Sequence, residues 1–164
     1  MTRAVNTALA GSGGVLQVVS VTKTDTFSSA ATAYTDITGL SLSITPVSTS
    51  SRILIVANLS TVEPATNNLF LRFVRDSTPI AVGDAAGSRV QATSGFRYPT
   101  SDNGGIGAVG MSFVDSPSTT SATTYKIQMG LQGGTGYVNR TADDLNNSGR
   151  GRYVSTLTAM EIAG

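Results

Sequence analysis

The chain of 164 residues contains no cysteine and no histidine. Without cysteine there is no disulfide framework and no thiolate metal site, and redox compartment leaves no mark. Without histidine the commonest general base, the commonest transition-metal ligand and every Ser-His-Asp arrangement are lost together. Charge is scarce too. Only 13% of residues are charged, 11 basic against 10 acidic, for a net charge of +1. That balance argues against a nucleic-acid-binding arm or an acidic tail. The first fourteen residues, MTRAVNTALAGSGG, carry one basic residue and an apolar core too short for a signal peptide or a membrane span, so synthesis and folding in a cytoplasm are expected. What remains is rich in Ser, Thr, Gly and Ala, the composition of a neutral, hydroxyl-bearing surface. Such a surface suits packing against neighbours better than electrostatic steering.

Strands dominate the pattern. Val15, Leu16, Val18, Val19 and Val21 form a nearly continuous apolar run, and β-branched residues favour a pleated surface over a helix. Asp36–Gly39 reads as a turn into the next strand. Leu40, Leu42 and Ile44 alternate with Ser41, Ser43 and Thr45, the period of a sheet with one buried face, until Pro46 ends the ladder. Arg52–Leu59 is apolar on both faces and reads as a central strand. Leu69–Arg75, Ile80–Val82, Ala108–Val114, Tyr125–Leu131, Tyr137–Thr141 and Arg152–Ile162 follow, with a weaker Arg89–Tyr98 interrupted at Gly95. About ten short strands separated by turn signals predict an all-β, jelly-roll-like antiparallel β-sandwich. At this length one domain buries roughly 70% of its unfolded surface. The expected organisation is a flexible arm over 1–14 and a single domain over 15–164. The arm has no heptads and no collagen-like period, so it is not a fibre shaft.

Few motifs suggest chemistry. Gly105–Gly110 matches G-x-G-x-x-G, but a Pro/Asn/Gly loop precedes it and a strand-like stretch follows, so these are turn and packing glycines. Asp143 and Asp144, with Asp102 or Asp84, could offer oxygen ligands to a hard cation, yet the alternating ligand spacing of a calcium loop is missing and a solvated loop is expected. No cofactor or metal is expected. Asn58, Asn139 and Asn146 begin glycosylation-type triplets, a pattern common by chance. The ten acidic residues lie one or two to a loop, so no pair is set at a catalytic separation and no enzymatic activity is expected.

The segments GGVLQVVSVTKTDTF, TDITGLSLSITPVSTSSRILIVANLS and the closing STLTAMEIAG resemble a β-domain of tailed bacteriophages, above all cyanophage and marine phage proteins, found on the virion surface. The resemblance covers the first third and the last ten residues. It implies a jelly-roll-like module that assembles as a homotrimer on the outside of the particle; from the charge balance, the short N-terminal apolar stretch and the scattered carboxylates, no nucleic-acid partner, membrane partner or catalysis is expected. Two locations compete within it. A capsid decoration or cement protein would bind the major capsid protein and stabilise the lattice; a tail fibre head would contact a host surface receptor. With only a short arm in front of the domain, decoration is the expectation. Arg3, Val5 and Leu9 are then candidate capsid contacts, and Arg72 and Arg75 candidate trimer or capsid contacts. An arginine within a strand reads first as a solvent-face side chain. Phe96 and Tyr98 are the outer-loop ligand candidates should the host-binding reading hold.

Overall fold

The computed structural model describes residues 3–5, 14–62, 67–97 and 103–164. They form twelve strands: β1 (Arg3–Val5), β2 (Val15–Lys23), β3 (Phe27–Ser29), β4 (Thr35–Ile44), β5 (Arg52–Val62), β6 (Leu69–Arg75), β7 (Thr78–Ile80), β8 (Ser94–Phe96), β9 (Gly107–Asp115), β10 (Thr123–Leu131), β11 (Gly136–Val138) and β12 (Ser155–Ile162). Every pairing is antiparallel. One sheet runs β1-β2-β12-β5, with β9 on the far side of β5 and the short β11 and β3 continuing beyond the end of β12. The other runs β4-β10-β6, with β7 and β8 end to end on the outer edge of β6. Among the described residues no helix is long and apolar enough to cross a membrane.

The pairings are nested. β2 pairs β12, β4 pairs β10, β5 pairs β9 and β6 pairs β8, so the first half of the chain meets the second half in reverse order. Such a hairpin, wound so that successive pairs alternate between two sheets, is a jelly roll. The sandwich expected from strand spacing is therefore present.

Its core follows the period of two. Ile53, Ile55, Ala57 and Leu59 of β5 face inward and are sealed, as do Leu69, Leu71 and Phe73 of β6 and Tyr125, Ile127 and Met129 of β10. β5, flanked by β12 and β9, is the central strand its apolar sequence predicts. In β4 the expected turn at Asp36–Gly39 is instead a bulge within the strand. From Ser41 to Asp36, β4 takes five steps while β10 takes two, from Lys126 to Gln128. The extra residues let both Ile37 and Leu40 point inward, and Gly39 supplies the φ of +85° that a side chain would resist.

Two further expectations change. Among the described residues of Arg89–Tyr98 only Ser94–Phe96 is strand; the stretch before it is a loop held by polar side chains. Gln91 Nε2 donates to Gly83 O at 2.7 Å and Tyr34 Oη to Gln91 O at 2.8 Å. Within the expected arm, the backbone of Arg3–Val5 lies beside β2 as its edge strand, with Val5 opposite Val18.

Candidate interaction face

Alternation along β2, β12, β5 and β9 divides their side chains between the core and the outside, and the register lines up the outward ones in rows. Val18, Met160, Leu54 and Val114 form one row across the four strands. Ser20, Thr158, Val56 and Ser112 form the next, and Thr22, Thr156, Asn58 and Gly110 the third. None of the twelve is charged. On β2, β12, β5 and β9 the one outward charge is Arg52, at the start of β5. Lys23, Asp115 and Glu161 on the same strands point inward and are buried. Between β5 and β9 the face dips into a shallow depression of about 250 Å³ over Val56, Asn58, Gly110 and Ser112. Gly110 keeps it open, since a Cβ there would meet only Asn58 Oδ1, at 3.4 Å.

The outer face of the second sheet is different in kind. Arg72 lies 3.8 Å above the Tyr34 ring and its Nε donates to Gln128 Oε1 at 2.9 Å. Gln128 Nε2 and Lys126 Nζ donate in turn to the two oxygens of Asp36, at 2.6 and 2.7 Å. The Lys126 hydrogen bond leads in holding the Asp36 carboxyl below the usual carboxylate range, while burial pushes the Tyr34 hydroxyl up. The charges of this face are bonded to one another. Arg72 thus has partners within its own chain.

Arg75 does as well. Its Nη1 lies 3.0 Å from both oxygens of Asp115, and the Tyr125 hydroxyl donates to Asp115 Oδ2 at 2.6 Å. This cluster joins the end of β9 in one sheet to β6 and β10 in the other. The charge pair for which arginine is suited lies here between two sheets of one chain.

At the opposite end of β2, Lys23 Nζ forms an ion pair with Asp25 at 2.9 Å. Nearby Asn139, fully buried at φ +63°, donates to Lys23 O at 2.8 Å and Asp25 O at 3.0 Å and accepts from Ser155 Oγ at 2.7 Å. The glycosylation-type triplet at Asn139 is therefore an internal joint: the amide nitrogen that a glycan would need is spent on two carbonyls.

Asp143 and Asp144 face arginines. Arg150 grips Asp143 through Nε at 2.9 Å and Nη2 at 2.6 Å, while Arg140 and Arg152 both reach Asp144. Carboxylates already paired with three guanidiniums are poor ligands for a cation. Among the described residues no group of three or more acidic, His or Cys side chains gathers. The Arg150 hydrogen bond leads in keeping the Asp143 carboxyl below the usual range. A lowered folded-state pKa contributes stability above about pH 4 that is lost as pH falls through the folded value. Arg150→Ala is expected to raise the Asp143 pKa towards the ordinary carboxylate range. Carboxyl-carbon NMR titration measures it, and an unmoved Asp143 would dismiss the pairing.

Phe96 belongs to β8 and packs against the core, its ring over Gly107, where a Cβ would come within 2.1 Å of it. This is the packing role read for the glycines of the G-x-G-x-x-G match, whose last four residues run into β9. Leu9, Tyr98 and Asp102 lie outside the described residues, and Arg3 and Val5 enter only as the backbone of β1. Sequence reading missed Asp115, Tyr125 and Asn139 as polar anchors.

No family model matches the chain. No curated protein matches it either. Among solved structures it is similar to one titled for the Gx strain of infectious bursal disease virus, with 20% identity and a TM-score of 0.40, over 88% of this chain and 37% of that one.

Proposed function

We propose that this chain is a non-enzymatic structural protein of a phage virion surface, a capsid decoration protein that docks on the major capsid protein through the outer face of the β2-β12-β5-β9 sheet. The observation that carries the reading is that face: four strands wide, uncharged in its three central rows and crossed by an apolar row, on a sandwich whose other outer face is charged and internally bonded. An uncharged flat face adds little to solubility, and it loses little solvation on contact with a partner. The sequence resemblance to phage virion surface domains supplies the partner. Cementing a lattice needs area and many copies rather than a reactive group.

The host-binding alternative draws on one observation. An open groove of about 540 Å³ between the Gly83–Thr93 loop and the second sheet is lined by Phe70, Val90 and Leu131, with Arg89, Asn68 and Gln132 on its rim. Copy number separates the two readings. Peptide mass spectrometry of purified virions is expected to find this chain at a ratio comparable to the major capsid protein. A ratio lower by an order of magnitude would move it to the tail and make the groove the site to test.

A further inference from the structure

We propose that the free edge of β9 is a self-association site, where two copies of this chain pair antiparallel, edge to edge, about a two-fold axis near Met111. An edge strand presents unpaired N–H and C=O groups, and natural sheets blunt their edges with short strands, bulges, Pro or Lys. The other edges here are treated in those ways. β1 covers Val18–Ser20 of β2, β4 carries the Gly39 bulge and the Asp36 ion pair, and β1, β3, β7 and β8 are three residues each.

β9 has none of these devices. It runs nine residues without a register shift, has no Pro, Lys or Arg, and among the described residues pairs only with β5. None of the described loops bonds its outward backbone groups. Its one charge, Asp115, is buried and held by Arg75 and Tyr125, so it does not repel a second copy.

The occupant is a second copy because the strand complements itself. With the axis at Met111, Gly110 stands opposite Ser112 on the outer face, and Val109 stands opposite Phe113 on the core side. Ala108 meets Val114, and no like charges oppose. Val109, Met111 and Phe113 would extend the apolar layer across the axis, and the two uncharged outer faces would join into one sheet of double width. An edge ladder alone buries less than the roughly 1,200–2,000 Å² of a standard interface, so association is concentration-dependent and two-fold.

Sedimentation of the full chain, from about 1 µM to about 500 µM, is expected to show a monomer–dimer equilibrium at a micromolar constant, typical of a small interface. The double variant Gly110→Lys, Ser112→Lys sets four ammonium groups around the axis and is expected to weaken the dimer at least tenfold. Both side chains project outward, where the only close neighbour of a Cβ at 110 is Asn58 Oδ1, so far-UV circular dichroism and the melting midpoint should not move. Because the chain has no cysteine, Gly110→Cys with Ser112→Cys gives a second readout: oxidation should yield a covalent dimer, and Ser43→Cys on β4 should not. A monomer throughout the range without cross-linking overturns the proposal. So does any oligomer, a trimer included, that the lysines leave intact.

Discussion

Asp115→Ala is expected to lower the unfolding free energy by about 3 kcal/mol, the low end of the cost of breaking a buried ion pair. Three contacts end on that carboxylate, two from Arg75 and one from the hydroxyl of Tyr125. Tyr125 is fully buried, so its hydroxyl would lose its acceptor with no water to replace it, a penalty of about 1–3 kcal/mol. The Arg75 side chain is 29% exposed and recovers some hydration, which holds the total near the low end. Tyr125→Phe removes the donor and leaves the ion pair intact, so about 1 kcal/mol is expected. In that background Asp115→Ala should cost less than in the natural chain, because the orphaned hydroxyl is gone. Urea denaturation measures all three. An Asp115→Ala cost under about 1 kcal/mol would reduce the cluster to an ordinary surface pair.

The same hydroxyl sets an alkaline limit. Burial first, then the hydrogen bond and the charge of Asp115, push the Tyr125 pKa well above that of a free tyrosine. The unfolded chain therefore loses this proton from about pH 10 upward while the folded chain retains it. Above that pH the unfolded state binds fewer protons than the folded one, so stability is complete below about pH 10 and falls as pH rises. Tyr125→Phe should flatten that part of the fall, and an unchanged alkaline slope would remove Tyr125 as its cause.

The sandwich was legible because its strands obey a local rule. Leu40, Leu42 and Ile44, and Tyr125, Ile127, Met129 and Leu131, alternate with polar residues, and all seven are in the core. Period alone could not show the bulge in β4. Asp36–Gly39 has turn composition, and only the offset against Lys126 and Gln128 makes it strand. Composition foretold a neutral surface, but its position depends on which strands become neighbours. Val18, Leu54, Val114 and Met160 are far apart in the chain and share a row only after β2, β12, β5 and β9 have paired. The polar anchors were hidden for the same reason. Arg75 and Asp115 sit 40 residues apart on strands of different sheets, and Lys23 and Glu161 are charged residues that strand patterning does not place inside. Glu161 is accounted for by partners still more remote in sequence: Val47 N donates to it at 2.7 Å and Gln17 Nε2 at 2.5 Å.

Thr158→Asp is expected to cut particle binding by about a hundredfold while leaving the fold unchanged. Thr158 stands in the middle of the uncharged face, between Ser20 and Val56, with its side chain outward. On the free protein a carboxylate there stays hydrated, and a surface substitution of this kind shifts stability by no more than about 0.5 kcal/mol. Docking would strip its water without supplying a partner. A cost of several kcal/mol follows, and each 1.4 kcal/mol is a factor of ten in affinity. Ser43→Asp is the matched control, an exposed β4 residue between the buried Leu42 and Ile44 on the other sheet. Co-sedimentation with capsids stripped of this protein, over a range of concentrations, reads both. If Thr158→Asp binds as well as the natural chain, the uncharged face is not the docking surface. If Ser43→Asp is the one that fails, the charged sheet faces the particle and the uncharged face is free for another copy or another partner.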